Sequence, residues 1–100
     1  MIITLLIEYD NPKNETRWNK IVEIAPQTTA FWGKHLESGD VKSVSNWADN
    51  TNHLVIWVEF EDTNGLAKYY EDEEFHKISS EWVKVVDNAS VRILRPAMQV

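Results

Sequence analysis

Three histidines are the natural acid–base candidates in this sequence, because imidazole titrates near neutral pH. His35 follows Trp32 by three residues, a spacing that predicts a partly buried imidazole at the edge of a helix's apolar face. His53 falls in a predicted hairpin loop and is expected in solvent, whereas His76, with Asp72 four residues before it, is expected to form an exposed ion pair. The chain has no cysteine and no two histidines four residues apart, so no metal site is predicted.

Aromatic side chains are concentrated in the two predicted helical regions, at Phe31, Trp32, Tyr69, Tyr70 and Trp82. Where these side chains converge above a sheet, they either line a small-molecule pocket or fill the core themselves. For a pocket, the predicted ligand-binding residues are Phe31, Trp32, Tyr69 and Trp82. Tyr69 or Tyr70 is then the candidate donor to a carbonyl or a developing oxyanion, with His35 as the candidate base.

Composition limits the class of protein. The chain has 100 residues and a mass of 11.7 kDa, which indicates one domain over residues 1–100. Sixteen acidic residues against ten basic ones give a net charge of −6, which argues against nucleic acid and against an anionic membrane as partners. The apolar stretch Met1–Ile7 is too short to span a bilayer and has no basic residue before it, so we expect a cytoplasmic protein.

The first half of the chain predicts a strand followed by a long helix. Met1–Tyr9 is rich in large and β-branched apolar residues, and Asn11 with Pro12 resembles a helix start. Pro26 is expected to kink the helix or divide it in two, and Gly39 to end it. The apolar stripe expected to face the core is Trp18, Val22, Ala25, Thr29, Trp32 and Leu36.

The second half continues the alternation of strands and helices. In order, the sequence predicts a strand over Lys42–Ala48, a strand over Leu54–Glu61, a helix from an Asp62 cap to Tyr70, a helical stretch from an Asp72 cap, a turn at Asn88, and a strand over Ala89–Arg95 stopped by Pro96. The order β-α-β-β-α-β favours an α+β, ferredoxin-like fold: a four-stranded antiparallel sheet of order 4-1-3-2 with its helices on one face.

Side-chain alternation separates the two faces of this sheet. The set expected beneath the helices is apolar throughout: Ile3, Leu5, Ile7, Tyr9, Val44, Leu54, Ile56, Val58, Phe60, Val91 and Ile93. The opposite set is also apolar in part, and a contiguous apolar patch of this kind is typical of an association surface. We therefore expect a homodimer formed through Leu6, Glu8, Trp47, Val55, Trp57, Arg92 and Leu94, with Arg92 in reach of Glu8. Cover by loops and by the tail Pro96–Val100 is the alternative.

With these features the chain resembles the dimeric α/β-barrel superfamily, which includes antibiotic-biosynthesis monooxygenases. The resemblance covers nearly the whole chain as element order. It is most specific in Leu54–Asp62, in Leu66–Tyr70 and in the acidic entry to Phe75. It implies a small hydrophobic or aromatic ligand held between sheet and helices. The activity implied is that of a cofactor-independent oxygenase, isomerase or cyclase, and the alternative is a non-catalytic dimer with a filled core.

Two signatures within that superfamily are missing. Haem-degrading members use an Asn on the first strand and a helical Trp and His, but the matching helical positions are Tyr69 and Ser79, and the first strand has no Asn. Polyketide-cyclase members use a first-strand His, which is also absent. Neither activity is expected, and no cofactor is predicted.

Overall fold

The computed structural model describes residues 1–97 as seven elements around one sheet. They are β1 (Ile3–Asp10), α1 (Glu15–Ser38), β2 (Ser43–Ala48), β3 (His53–Phe60), α2 (Thr63–Glu71), α3 (Glu73–Val83) and β4 (Asp87–Leu94). The strands are antiparallel in the order β2-β3-β1-β4, which confirms the predicted topology. No helix in the described part of the chain is long and apolar enough to cross a membrane.

Helix α1 begins later than predicted. Its N-cap is Asn14, whose side chain accepts a hydrogen bond from the Arg17 backbone N–H at 3.0 Å. The Asn11 side chain instead donates to the Asn52 side chain in the β2–β3 loop at 3.1 Å, so it ties the end of β1 to the hairpin. Gly39 ends the helix as predicted, with a φ of 86° that favours glycine.

Pro26 neither ends nor divides α1, which runs for 24 residues. Proline removes the hydrogen bond to the carbonyl four residues earlier, here that of Val22. Both Pro26 and Val22 are exposed, so water can satisfy this carbonyl. Of the two outcomes expected at Pro26, the division of the helix was therefore wrong, because the proline lies on the solvent side of the helix.

The buried stripe of α1 is also not the predicted one. It consists of Ile21, Ile24, Thr28, Phe31 and His35, one residue before the predicted positions. Trp18, Val22 and Leu36 of the predicted stripe are exposed. The observed stripe contains two polar residues whose partners come from other elements, as described below, and this is why periodicity alone selected the neighbouring stripe.

Helices α2 and α3 begin at the two predicted caps. The Asp62 side chain accepts from the Asn64 and Gly65 backbone N–H groups, and the Asp72 side chain accepts from the Glu74 N–H. Gly65 weakens a helix in isolation, but here a Cβ at this position would overlap the backbone carbonyl of Asp40. Glycine therefore permits the close approach of α2 to the segment after α1.

Strand β4 begins earlier than predicted, and its helix-facing side chains are more exposed than predicted. Asn88 lies inside the strand with a φ of 54°, beside a register shift in β1 between Glu8 and Asp10, instead of forming a separate turn. Val91 and Ile93 were expected beneath the helices, but they are 54% and 55% exposed because β4 is an edge strand that the helices only partly cover.

The core between helices and sheet is divided into two clusters. The larger cluster consists of Leu5, Phe31, Val41, Ile56, Val58, Phe60, Tyr69 and Ile78. The smaller cluster consists of Ile21, Ile24, Val85 and Val86, at the start of α1 and just after α3. Tyr9 and Trp82 pack against both.

Candidate functional site

A cavity of about 230 Å³ lies between the helices and the sheet. Its floor is formed by helix-facing residues of all four strands, including Leu5, Ile7, Asn46, Ile56 and Val91. Its roof is formed by residues of α1 and α3, among them Ala25, Thr29, Ile78, Ser79 and Val83. The sheet and the two helices thus enclose an unfilled cavity as well as a packed core.

All four predicted ligand-binding residues line this cavity: Phe31, Trp32, Tyr69 and Trp82. Their role in binding a ligand remains a prediction. The sequence analysis did not select Tyr9, Thr28, Asn46, Phe75 or Ser79, which also line it. The alternation of β1 already placed Tyr9 beneath the helices, and the same alternation in β2 would have placed Asn46 there. Thr28 was missed because it lies on the stripe of α1 that was not selected.

Two indole N–H groups are fixed by hydroxyl groups of the cavity wall. Trp82 Nε1 donates to Thr28 Oγ1 at 2.7 Å, and Thr28 Oγ1 donates in turn to the Ile24 carbonyl at 3.3 Å. Trp32 Nε1 donates to the Tyr69 hydroxyl oxygen at 3.1 Å. Burial raises the pKa of Tyr69 to about 12, so its hydroxyl keeps its proton at neutral pH.

Several polar groups of the wall make no side-chain hydrogen bond to other residues in the range 1–97. They are the Tyr9 hydroxyl, the Asn46 amide and the Ser79 hydroxyl, to which a ligand could bond. Burial raises the pKa of Tyr9 as well. None of the described residues lining the cavity is Asp, Glu, Lys, Arg or His.

His35 does not line the cavity but is buried among carboxylates, only 5% exposed. Its Nδ1 lies 3.0 Å from Asp40 Oδ2, and its Nε2 lies 2.9 Å from Asp72 Oδ2. With both nitrogens engaged outside the cavity, His35 is not placed to act as the predicted base toward a cavity ligand.

Both carboxylates beside His35 are held in the ionised form. The Lys34 ammonium, aided by His35 and the Glu74 backbone N–H, lowers the pKa of Asp72 to about 2. Desolvation raises the pKa of Asp40, but hydrogen bonds from Ser38 and His35 bring it below its ordinary value. This cluster joins the end of α1 to the start of α3, and its role in the structure is to position these elements.

The other two histidines also differ from expectation. His76 does not pair with Asp72, and its Nε2 lies 2.7 Å from the Tyr70 carbonyl oxygen. His53 is the first residue of β3, with Nδ1 2.7 Å from Asp10 Oδ1 and Nε2 3.3 Å from Glu8 Oε1. The hydrogen bonds to Asp10 and then to Glu8 hold the pKa of His53 above its usual value.

The sheet face opposite the helices, here called the open face, carries the predicted interface residues. In the strand register, Leu6 lies between Trp57 of β3 and Arg92 of β4, and Val55 lies between Glu8 and Trp47. Trp47 is 65% and Trp57 37% exposed, so the described part of the chain leaves them in solvent, and residues 98–100 of the tail lie outside it.

Leu6 and Arg92 are neighbours on the open face. Leu6 is only 6% exposed in the single chain, because its longer neighbours Trp57 and Arg92 flank it. The predicted contact of Arg92 with Glu8 is present, with Arg92 Nη2 3.2 Å from Glu8 Oε2. Among the described residues, no group of three or more His, Asp or Glu side chains is arranged to hold a metal ion.

Solved structures share this architecture over almost the full chain. A conserved protein from Methanosarcina mazei Go1 is similar with a TM-score of 0.75 and 14% identity, covering 97% of this chain and 94% of that one. SnoaB, a cofactor-independent oxygenase from Streptomyces nogalater, has a TM-score of 0.69 and 9% identity, covering 99% and 96%. A dimeric protein of ferredoxin-like fold from Bacteroides fragilis has a TM-score of 0.65 and 8% identity, covering 93% and 94%. The chain has the ferredoxin-like fold.

Identities this low show the fold alone. No protein-family model matches the chain, and no curated protein is similar to it in sequence. In this ferredoxin-like chain the predicted residues fall into separate places: Phe31, Trp32, Tyr69 and Trp82 around the cavity, and the predicted interface residues on the open face. His35 and Tyr70, the remaining catalytic candidates, lie outside the cavity wall.

Proposed function

We propose that this chain is a single-domain, homodimeric protein of the α/β-barrel type that binds a small aromatic or hydrophobic molecule in the cavity between sheet and helices. The observation that carries the proposal is the cavity of about 230 Å³ with its aromatic wall. An engineered apolar cavity of about 150 Å³ accepts benzene. A ligand of one or two fused rings therefore suits the space available here.

Exposed indoles on the open face support the dimeric part of the proposal. Leaving Trp47 and Trp57 in solvent forgoes hydrophobic burial that a second copy would supply. The carboxylate of Glu8 on this face is compensated within the protomer, since Arg92 Nη2 lies 3.2 Å and His53 Nε2 lies 3.3 Å from its oxygens. The fold of the dimeric Bacteroides fragilis protein is the same.

A thermal-shift titration tests ligand binding. A molecule that binds only the native state raises the unfolding midpoint, and the rise grows with the logarithm of its concentration above the Kd, so a panel of one- and two-ring aromatic compounds should contain stabilising members. The Ser79→Phe variant fills the cavity from α3 and is expected to abolish the stabilisation. Ser80→Phe is the matched control, because Ser80 is an exposed neighbour on the same helix that does not line the cavity.

A cofactor-independent oxygenase is the second candidate function, favoured by the shared fold of SnoaB. An oxygenase of this kind consumes O₂ as it oxidises its substrate. Each compound that raises the midpoint is therefore tested for oxygen uptake with no cofactor added. Uptake that Ser79→Phe abolishes supports the oxygenase, whereas stabilisation without uptake supports binding alone.

A further inference from the structure

We infer that the open face carries a pH-sensitive switch, in which protonated His53 bridges the carboxylates of Glu8 and Asp10 and thereby tightens the homodimer at mildly acidic pH. This inference rests on the proposed function, since it assigns a regulation to the same dimer interface. Four charged side chains, here called the switch cluster, are linked by hydrogen bonds on this face: Glu8, Asp10, His53 and Arg92.

The switch cluster is continuous with the indoles of the open face. In the strand register, Glu8 of β1 and Trp47 of β2 lie on either side of Val55. Arg92 Nη2 lies 3.2 Å from Glu8 Oε2, and His53 Nε2 lies 3.3 Å from Glu8 Oε1. Glu8, Trp47 and Arg92 all belong to the proposed interface. A second copy that covers the indoles therefore also covers the cluster and displaces its water.

Only a protonated imidazole donates to both carboxylates beside His53. Its Nδ1 lies 2.7 Å from Asp10 Oδ1, and its Nε2 faces Glu8. A neutral ring has a single N–H, so it leaves one of the two carboxylates without this donor. The hydrogen bonds to Asp10 and then to Glu8 raise the pKa of His53 above its ordinary value of 6.5. Hydrogen bonds from Asn88 and His53 lower the pKa of Asp10, which therefore keeps its charge while the imidazole titrates.

Charged groups from three elements surround His53. Strand β1 supplies Glu8 and Asp10, and β4 supplies Arg92, which contacts Glu8. The β2–β3 loop supplies Asp49, whose Oδ1 accepts a hydrogen bond from the His53 backbone N–H at 3.0 Å. Asp49 is exposed, so water screens its charge. The switch cluster itself has no net charge when His53 is protonated, and a net charge of −1 when the imidazole is neutral.

Dimerisation turns this difference in charge into a difference in affinity. In the free protomer the side chains of His53 and Glu8 are partly exposed, so water solvates a carboxylate that has lost its donor. In the dimer that water is displaced, and burial of a carboxylate without a partner is unfavourable. The dimer therefore binds protons at His53 more tightly than the protomer does, and by reciprocal linkage protonation of His53 tightens the dimer.

Sedimentation equilibrium at a series of pH values tests the inference. The Kd of the wild-type dimer is measured between about pH 6 and pH 9 at constant ionic strength, which keeps the screening of other charges unchanged. We expect the Kd to increase about 10- to 100-fold as the pH rises through this range, because each copy loses one hydrogen bond to a charged group where water is excluded.

Three variants assign the pH dependence to the switch cluster. His53→Gln retains a hydrogen-bond donor but does not titrate, so its Kd should be independent of pH. His76→Gln is the matched control, because His76 lies on α3, on the other side of the sheet, and this variant should keep the dependence of the wild type. In Asp10→Asn the cluster is uncharged when His53 is neutral, so the tightening at low pH should disappear or reverse.

The possible results separate the switch from the dimer itself. A wild-type Kd that is constant or decreases as the pH rises would overturn the inference, as would a pH dependence that persists in His53→Gln or in Asp10→Asn. Each of these results leaves the proposed dimer standing. A wild type that is monomeric at every pH would overturn both the switch and the dimer, but not ligand binding in the cavity.

Discussion

Replacement of Trp47 by lysine is expected to weaken dimerisation by about 100-fold without unfolding the protomer. The Trp47 side chain is 65% exposed in the single chain. With a total area of about 200 Å², it leaves roughly 130 Å² of largely apolar surface for a partner to cover. At about 25 cal/mol per Å², burial of this surface contributes roughly 3 kcal/mol per copy and about 6 kcal/mol per dimer.

That figure is an upper bound on the loss, because part of each indole stays at the wet rim and ordering of side chains opposes association. Half of it, about 3 kcal/mol, corresponds to a change in dimer Kd of roughly 100-fold. Sedimentation equilibrium over a concentration series measures this Kd. The wild type should sediment at twice the 11.7 kDa protomer mass, and Trp47→Lys should shift toward the protomer at the same concentration.

Trp18→Lys is the matched control for this experiment. Trp18 is 43% exposed, but it lies on α1, on the other side of the sheet from the open face. The control variant should therefore dimerise like the wild type. An equal loss of affinity in both variants, or a dimer of Trp47→Lys as tight as the wild type, would refute the assignment of the interface to the open face. A monomeric wild type at micromolar concentration would refute the dimer itself.

Three further perturbations test the packing and the electrostatics of the helices. Gly65→Ala should destabilise the fold by about 1–2 kcal/mol in urea unfolding, because the new methyl group overlaps the Asp40 carbonyl by more than helix propensity repays. Thr28→Val should cost about 1–3 kcal/mol in the same assay, since the Trp82 N–H loses its acceptor. The pKa of Asp72 is about 2, against 3.8 when unfolded, so this carboxylate contributes stability above pH 4 that is lost as the pH falls toward 2. In Asp72→Asn, the free energy of unfolding should therefore depend less on pH between 4 and 2 than in the wild type.

Strand order and the helix caps could be predicted because they depend on local patterns. Alternating apolar residues mark β1 and β3, and Asp62, Asp72 and Gly39 carry cap chemistry that is legible within four residues of sequence. The helix-facing alternation likewise placed Leu5, Ile56 and Val58 correctly in the core. By contrast, the free energy of burying a polar side chain on an inward face depends on hydrogen-bond partners that lie far along the chain.

The inward face of α1 was mispredicted for that reason. Thr28 and His35 look unfavourable in a buried stripe until Trp82, Asp40 and Asp72 are known to satisfy them. These partners lie up to 54 residues away in sequence, beyond the reach of a periodicity argument. The same distance explains why His35 was considered a catalytic base when both of its nitrogens are engaged by carboxylates.

The start of α1 was mispredicted through a similar competition. Asn11 and Pro12 have the residue types of a helix start, but the Asn11 backbone and side chain are both engaged by Asn52 of the hairpin loop. The chain therefore stays non-helical until Asn14, where another Asn offers the same cap. Sequence alone contains two acceptable starts, and a tertiary contact selects the second.

The division of the core has a consequence for how the molecule opens. The four-residue cluster of Ile21, Ile24, Val85 and Val86 connects to the rest of the interior chiefly through Tyr9 and Trp82. A small cooperative unit of this kind unfolds locally at a lower free energy than the whole domain. Amide hydrogens at the beginning of α1 should therefore exchange with solvent before those of β1 and β3.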